Sequence, residues 1–324
     1  MSEIRVQSAG LLTTVQDLGR EGFGPLGVSP SGAADAISLR IGNRLVGNAE
    51  GAAALEMTLL GGTFVFPQGA VFALAGSDFG AALDDALIPL WTSSEARPGQ
   101  VLRVGPTQSG ARCYLCVRGG IAVPLFLGSA ATHLLSGLGG YEGRALRKGD
   151  ILQIGPGHAP FRRRTLSPVA LERLAPRRVL RVTAGPQSDW FSDTAQHTFY
   201  SGSYRIAEES NRMGLRLEGP PISHTSGGGG SALDPSAGEM ITEGVALGAV
   251  QITAAGLPII LLVEQQTTGG YAKLANVISA DFRSLGQLRP RDEIRFEQLA
   301  WDTARSLLVE QEKLLALGDL VRED

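Results

Sequence analysis

Side chains with chemical potential gather in three glycine-bracketed stretches. LTTVQDLGREGFGPLGVSPSGAAD carries Gln16, Asp17, Arg20, Ser31 and Asp35. ESNRMGLRL carries Ser210, Asn211 and Arg212, and EQQTTGGYAKLANVISADF carries Gln266, Thr267, Tyr271 and Lys273. Amide, hydroxyl, phenol and cationic groups of this kind suit a planar amide or a carboxylate, which needs several directed hydrogen bonds. The candidate substrate-binding residues are therefore Ser31, Asp35, Asn211, Arg212, Gln266, Thr267, Tyr271 and Lys273. Lys273 is one of three lysines, with Lys148 and Lys313, and offers a positive charge for a carboxylate or carbonyl. Taken singly, each stretch also has the composition of a satisfied turn, and Lys273 that of a solvated strand lysine. QTTGGY is expected to form a turn that also faces a substrate cavity.

Several chemistries find no residues. There is no GxxxxGK[ST] loop to cradle phosphates. No GxSxG nucleophile elbow exists, and GGGGSALD only imitates one. No lysine sits between methionines, the usual setting for covalently held biotin, so no covalently bound cofactor is expected. His133, His158, His197 and His224 are scattered without ligand spacing, so no metal is expected. Cys113 and Cys116 form a CxxC, but RCYLCVRG reads as a strand, in which positions three apart face opposite ways. They read as two small buried hydrophobes. No residue is assigned a catalytic role.

The elements that must position these groups are mostly short strands. Runs rich in Val, Ile, Leu and Phe, punctuated by glycine, place strands at 4–9, 63–67, 71–76, 100–105, 112–119 and 150–155. Further runs fall at 179–185, 204–208, 213–219, 249–254, 258–263 and 293–299. Two helices stand out. One follows Asp35, capped by Ser29 or Ser31 with Asp35 in its first turn, and ends at Gly47. The other spans about 301–317. The fold class is mainly β, in two β-rich lobes with few helices. The expected divisions are an N-terminal lobe over 1–157, a basic, proline-containing linker over 158–178, a second lobe over 179–300 and a C-terminal helix over 301–324. HTSGGGGSALDPSAG, residues 224–238, is a flexible loop by composition.

The net charge of −3, from 29 basic and 32 acidic residues, argues against a nucleic-acid or anionic-membrane surface as the main partner. The apolar runs are far shorter than the ~20 residues that span a bilayer. MSEIRVQSAG lacks a signal pattern, so a cytoplasmic protein is expected.

Together, GLLTTVQDLGREGFGPLGVSPSGAAD, NRLVGNAEGAAALEMTLLGG, YLCVRGGIAVPLFLGSAATH, GGYEGRALRKGD, SNRMGLRLEG and QQTTGGYAKLANVISADF resemble the biotin-dependent carboxyltransferase / allophanate hydrolase subunit 2 family. The resemblance covers roughly residues 4 to 299. Its departures are Cys113 and Cys116 in place of small apolar residues, Arg291 in place of the Gly of a PGD turn, and an insertion-like GGGGSALDPSAG loop. The resemblance implies a cyclophilin-like β-barrel architecture, placed in the second lobe. It also implies association with a subunit 1 partner of the PxpB or KipI type. For stand-alone members it implies a hydrolase activity, the ATP-dependent ring opening of 5-oxoproline to glutamate, shared with that partner and with a LamB/YcsF-like PxpA subunit. ATP would be used by the complex. Two alternatives stay open. One is a carboxyltransferase component acting on urea or a similar amide, with biotin on another chain; the other is a KipA-like binding protein that sequesters a kinase inhibitor.

Overall fold

The computed structural model describes residues 2–157, 161–223 and 239–323. The loop expected at 224–238 lies outside the described residues. The chain divides into two compact units, one of 1–20, 31–175 and 314–324, the other of 21–30 and 176–313.

The first unit is a sandwich of two sheets. Its seven-stranded sheet runs in the order Ile121–Ala122, Ile151–Ile154, Glu3–Ser8, Thr63–Val65, Val101–Arg103, Ala82–Leu83, Ala86–Leu87. The five-stranded sheet runs Leu12–Gln16, Ala54–Thr58, Arg112–Val117, Ala70–Gly76, Ser93–Ala96. Ile4, Val6, Phe64 and Leu102 from the first pack with Leu55, Phe72, Leu74 and Leu115 from the second in one core. Strand alternation sends residues of Arg112–Val117 to both faces of its sheet. Cys113 joins the inter-sheet core, whereas Cys116 joins Leu39, Ile41 and Leu45 of the helix Ala36–Val46 on the far face. The two thiols are free, and burial pushes both far above their ordinary range. The CxxC is packing, as its strand setting predicts.

The helix Ala36–Val46 is capped later in the chain than the sequence suggested. Asp35, not Ser29 or Ser31, is the N-cap and accepts from Ser38 N at 2.9 Å. Ser31 is held elsewhere: its backbone is left-handed (φ 57) and its hydroxyl donates to the Thr132 carbonyl at 2.7 Å. Gly47 closes the helix in the left-handed conformation.

The segment 158–178 is more than a connection. It holds the strand Arg164–Leu166 and the helix Pro168–Arg173, and that strand pairs with Val321–Glu323 near the chain's end. The last stretch is therefore a helix, Trp301–Ala316, followed by a strand.

The second unit is built on a closed barrel. Its strands run Val179–Ala184, Lys273–Val277, Ala249–Ile252, Pro258–Leu261, Gly214–Glu218, Tyr204–Ile206 and Glu293–Gln298, the last pairing in parallel with the first. Leu215, Leu217, Val250, Ile252 and Ile260 are buried and alternate with outward positions. The helix Asp193–Ser201, capped by Ser192, stacks Phe199 on Phe296 with ring centroids 4.3 Å apart. This helix and Phe282–Gln287 escaped the sequence reading because they are shorter than the ~11–18 residues over which a helical apolar pattern is read. A two-stranded ribbon, Glu239–Gly244 with Thr268–Tyr271, is the unit's other sheet.

Candidate functional site

One row of side chains across the barrel of the second unit is set by strand register. Arg216 sits opposite Ile259, Ile259 opposite Gln251, and Gln251 opposite Lys273. Directly paired residues share a face of the sheet. Their neighbours Leu215, Ile260 and Val250 fill the barrel interior, so this row points outward. Over the outward face lies a cavity of about 210 Å³, lined by Asn211, Arg216, Gln251, Thr253, Gln266 and Tyr271. Met213, Ile259 and Leu261 give it an apolar floor. The volume is below the ~300–1,000 Å³ typical of pockets for drug-sized ligands, which suits a small metabolite.

The ribbon is what makes an outward face into a buried one. Gln251 is only 1% exposed although it faces away from the barrel interior. A Cβ placed on Gly269 of the ribbon would lie 2.6 Å from Gln251 Nε2 and 2.9 Å from Gln266 Nε2. Glycine at 269 is thus required by close approach of the two layers. Gln251 Nε2 has no hydrogen-bond partner among the described residues. A buried donor without an acceptor costs about 1–3 kcal/mol, and a ligand in the cavity would supply the partner.

QTTGGY is not a turn. Thr268–Tyr271 is a strand of the ribbon, and the turn lies before it, at Val263–Glu264. Tertiary pairing with a segment distant in sequence overrides the local turn composition.

Lys273 is not a solvated lysine either. It is 2% exposed, and its ammonium meets Glu243 Oε1 at 2.7 Å and the Tyr271 carbonyl at 3.3 Å. Gln187 completes the arrangement. Its Oε1 accepts from Lys273 N at 3.1 Å and its Nε2 donates to Glu243 Oε1 at 3.0 Å. The hydrogen bond from Lys273, and then that from Gln187, holds the Glu243 carboxyl below its ordinary value of 4.5. Lys273 therefore latches the ribbon to the barrel.

Of the residues singled out from sequence, the structure brings Asn211, Gln266 and Tyr271 together on the cavity. Asn211 also accepts from Met213 N at 2.8 Å, fixing the bend that enters the Gly214–Glu218 strand. Arg212 is buried on Glu264, with Nε 2.5 Å from Oε1, and ties the two segments that flank the cavity. Thr267 contributes its carbonyl to Val245 N at 3.1 Å. Ser31 and Asp35 belong to the first unit, where with Gln16 and Asp17 they fix a loop. Gln16 donates to the Thr132 carbonyl at 3.1 Å, and Asp17 accepts from Ser129 Oγ and Ala130 N at 2.7 and 2.6 Å. Among the described residues no cluster of His, Cys, Asp and Glu suits a metal ion.

Arg216, Gln251 and Thr253 were missed by sequence reading. AVQIT reads as an ordinary strand, and only a polar residue flanked by Val250 and Ile252 hints that the strand's outward face is covered.

Comparison with known proteins bears on this scaffold. Residues 26–298 match the family model described as carboxyltransferase domain, subdomain A and B. The chain belongs to this carboxyltransferase-domain family. It is 37% identical to the 5-oxoprolinase C subunit of Escherichia coli K12, over 96% of both chains. The corresponding 5-oxoprolinase protein of Haemophilus influenzae is 36% identical over 91% of this chain and 90% of that relative. Among solved structures, the Kluyveromyces lactis urea amidolyase superimposes with a TM-score of 0.89 at 33% identity. That match covers 97% of this chain but 20% of the amidolyase, so the chain spans about a fifth of that protein. No helix among the described residues is long and apolar enough to cross a membrane.

Proposed function

We propose that this chain is the C subunit of an ATP-dependent 5-oxoprolinase, which opens 5-oxo-L-proline to L-glutamate together with the A and B subunits. The observation that carries the reading is the similarity, along 96% of both chains, to the Escherichia coli protein of that name. The cavity is chemically compatible. A lactam presents a planar carbonyl and an N–H, and its wall offers amide, phenol and hydroxyl groups from Gln251, Gln266, Tyr271 and Thr253. Fixed donors aimed at a carbonyl oxygen stabilise the charge that grows there when the ring is attacked. The ribbon excludes water from Gln251, which strengthens that hydrogen bond. ATP is a co-substrate of the complex, and this chain's sequence has no phosphate-cradling loop for it.

A second reading rests on the urea amidolyase superposition: carboxyl transfer to urea or a similar amide, with biotin carried on another chain. The ureido ring of biotin is a carbonyl between two N–H groups, so the same Gln251 and Tyr271 would meet it, and no other residue is required of this chain.

The test is reconstitution. With the A and B subunits and ATP, the complex is expected to release glutamate from 5-oxoproline. Absence of glutamate, together with urea-dependent carboxyl consumption in the presence of a biotin carboxylase, would move the assignment to the second reading.

A further inference from the structure

Resting on the 5-oxoprolinase reading, we infer that Arg216 and Gln251 select the substrate: Arg216 takes a carboxylate, and Gln251 Nε2 donates to the carbonyl of the same ring. The apolar ring lies over Ile259 between them. The ligand class is a small lactam or cyclic amide carrying one carboxylate.

Register places the two groups. Arg216, Ile259 and Gln251 occupy one row across three neighbouring strands, and all three line the cavity. Strands lie about 4.8 Å apart, so the backbones of Arg216 and Gln251 are separated by roughly 10 Å with Ile259 midway. Both side chains line the cavity together with Ile259, and an interval of roughly 10 Å accommodates a five-membered ring with a substituent on each side of its nitrogen. In 5-oxoproline the carbonyl and the carboxylate occupy those two ring positions.

Charge points the same way. Arg216 is the only cationic residue among the described residues lining the cavity, and no Asp or Glu is among them. Two other arginines of this barrel are already matched: Arg205 with Glu218 at 2.8 Å and Arg181 with Asp281 at 2.5 Å. Arg216 has no ion pair among the described residues and is exposed at the cavity's edge. Its planar fork is suited to two parallel hydrogen bonds with a carboxylate. Gln251 provides the independent second contact. It is 1% exposed, lines the cavity, and its Nε2 lacks an acceptor among the described residues. A site that hydrogen-bonds a substrate group strongly rejects an analogue lacking it.

The experiment uses the complex of all three proteins with two probes, 5-oxoproline and 2-pyrrolidinone, the same ring without the carboxylate. Substrate-dependent ATP hydrolysis is measured for the parent, Arg216→Met, Arg216→Lys and Gln251→Leu, with melting temperatures in parallel. The parent should prefer 5-oxoproline in kcat/KM. Arg216→Met should raise KM for 5-oxoproline about ten- to hundredfold, the loss of one charge-assisted hydrogen-bonded contact. It should leave 2-pyrrolidinone within about twofold, and Arg216→Lys should recover part of the preference. Gln251→Leu should weaken both probes alike. An unchanged KM for 5-oxoproline in folded Arg216→Met overturns the carboxylate assignment, and unchanged kinetics in Gln251→Leu overturns the carbonyl assignment. If the parent complex turns over neither probe, the 5-oxoprolinase reading has failed, and saturation-transfer NMR of 5-oxoproline decides the inference separately. Binding by the parent that Arg216→Met abolishes would sustain it; no binding by the parent would end it.

Discussion

Arg291 shows how one residue carries a structural cost that its sequence context announced. It occupies the position where the resembling family has the Gly of a PGD turn, and its backbone is left-handed, with φ 71. For a residue with a Cβ that conformation costs roughly 1 kcal/mol. The turn itself is needed, since Arg291 N donates to the Ile206 carbonyl at 2.8 Å and leads into the Glu293–Gln298 barrel strand. The Arg291 side chain pairs with Glu208, but both are solvent-exposed, and such pairs contribute little. Arg291→Gly is therefore expected to stabilise the protein by about 0.5–1 kcal/mol, partly offset by the greater freedom of an unfolded glycine. A urea titration checks it; a lower midpoint would mean that the Glu208 pair outweighs the strain. The cysteines make the opposite case, two conspicuous residues with no chemistry. Because burial raises both thiols, a thiol reagent should label neither in the folded protein at neutral pH and both in denaturant.

Among elements, the ribbon decides whether the cavity exists. Its two strands are held to the barrel through Lys273, Glu243 and Gln187. Glu243 has its carboxyl held below its ordinary value, so its contribution is fully present above pH 4.5. It is lost as pH falls through the lowered value in the folded protein. The protection of the 268–271 amides against hydrogen exchange, taken relative to their intrinsic exchange rate, should fall on acidification through that window. Glu243→Gln should show low protection at all pH values; protection that does not change with pH in the parent would sink the latch. Gly269→Ala tests the other side of the same element. The added methyl meets the ends of Gln251 and Gln266, so activity should fall about tenfold or more while the melting temperature changes little. An unaltered rate would show that these amides need not sit where they do. Six of the seven barrel strands were legible in sequence as short apolar runs ending in a turn signal; Lys273–Val277 was not placed among them. The ribbon was not legible, because TTGGY lacks that pattern and its partner lies more than twenty residues upstream. Lys273 was read as a cation for a substrate carboxylate or carbonyl, and its charge meets Glu243 of the ribbon instead, a partner that the sequence did not show.

At the scale of the molecule, the two units divide the residues that looked alike in sequence. Ser31 and Asp35 fix backbone in the first unit, whereas Asn211, Gln266 and Tyr271 face the cavity of the second. Glycine-rich polar stretches look the same whether they hold a loop or a ligand, since both tasks use directed hydrogen bonds and open backbone. Only burial and register separate them. The cavity's wall supplies binding and polarisation, but its described lining includes no acidic or thiol nucleophile and no lysine, and the sequence lacks a phosphate loop. On the proposed reading, coupling lactam opening to ATP calls for groups from other chains, as the similarity to a protein named as one part of an enzyme suggests. Co-expression with the cognate subunit 1 protein should give one species on size exclusion that persists at micromolar concentration. The chain alone, given ATP and 5-oxoproline, should release no glutamate. Arg212→Met serves as the control for damage to the scaffold: it strands the buried Glu264 carboxylate and should cost about 3–5 kcal/mol, lowering the melting temperature before any kinetic effect is interpreted. Separate elution of two folded proteins would refute the assignment to a complex, and glutamate release by the isolated chain would show that the whole reaction resides in it.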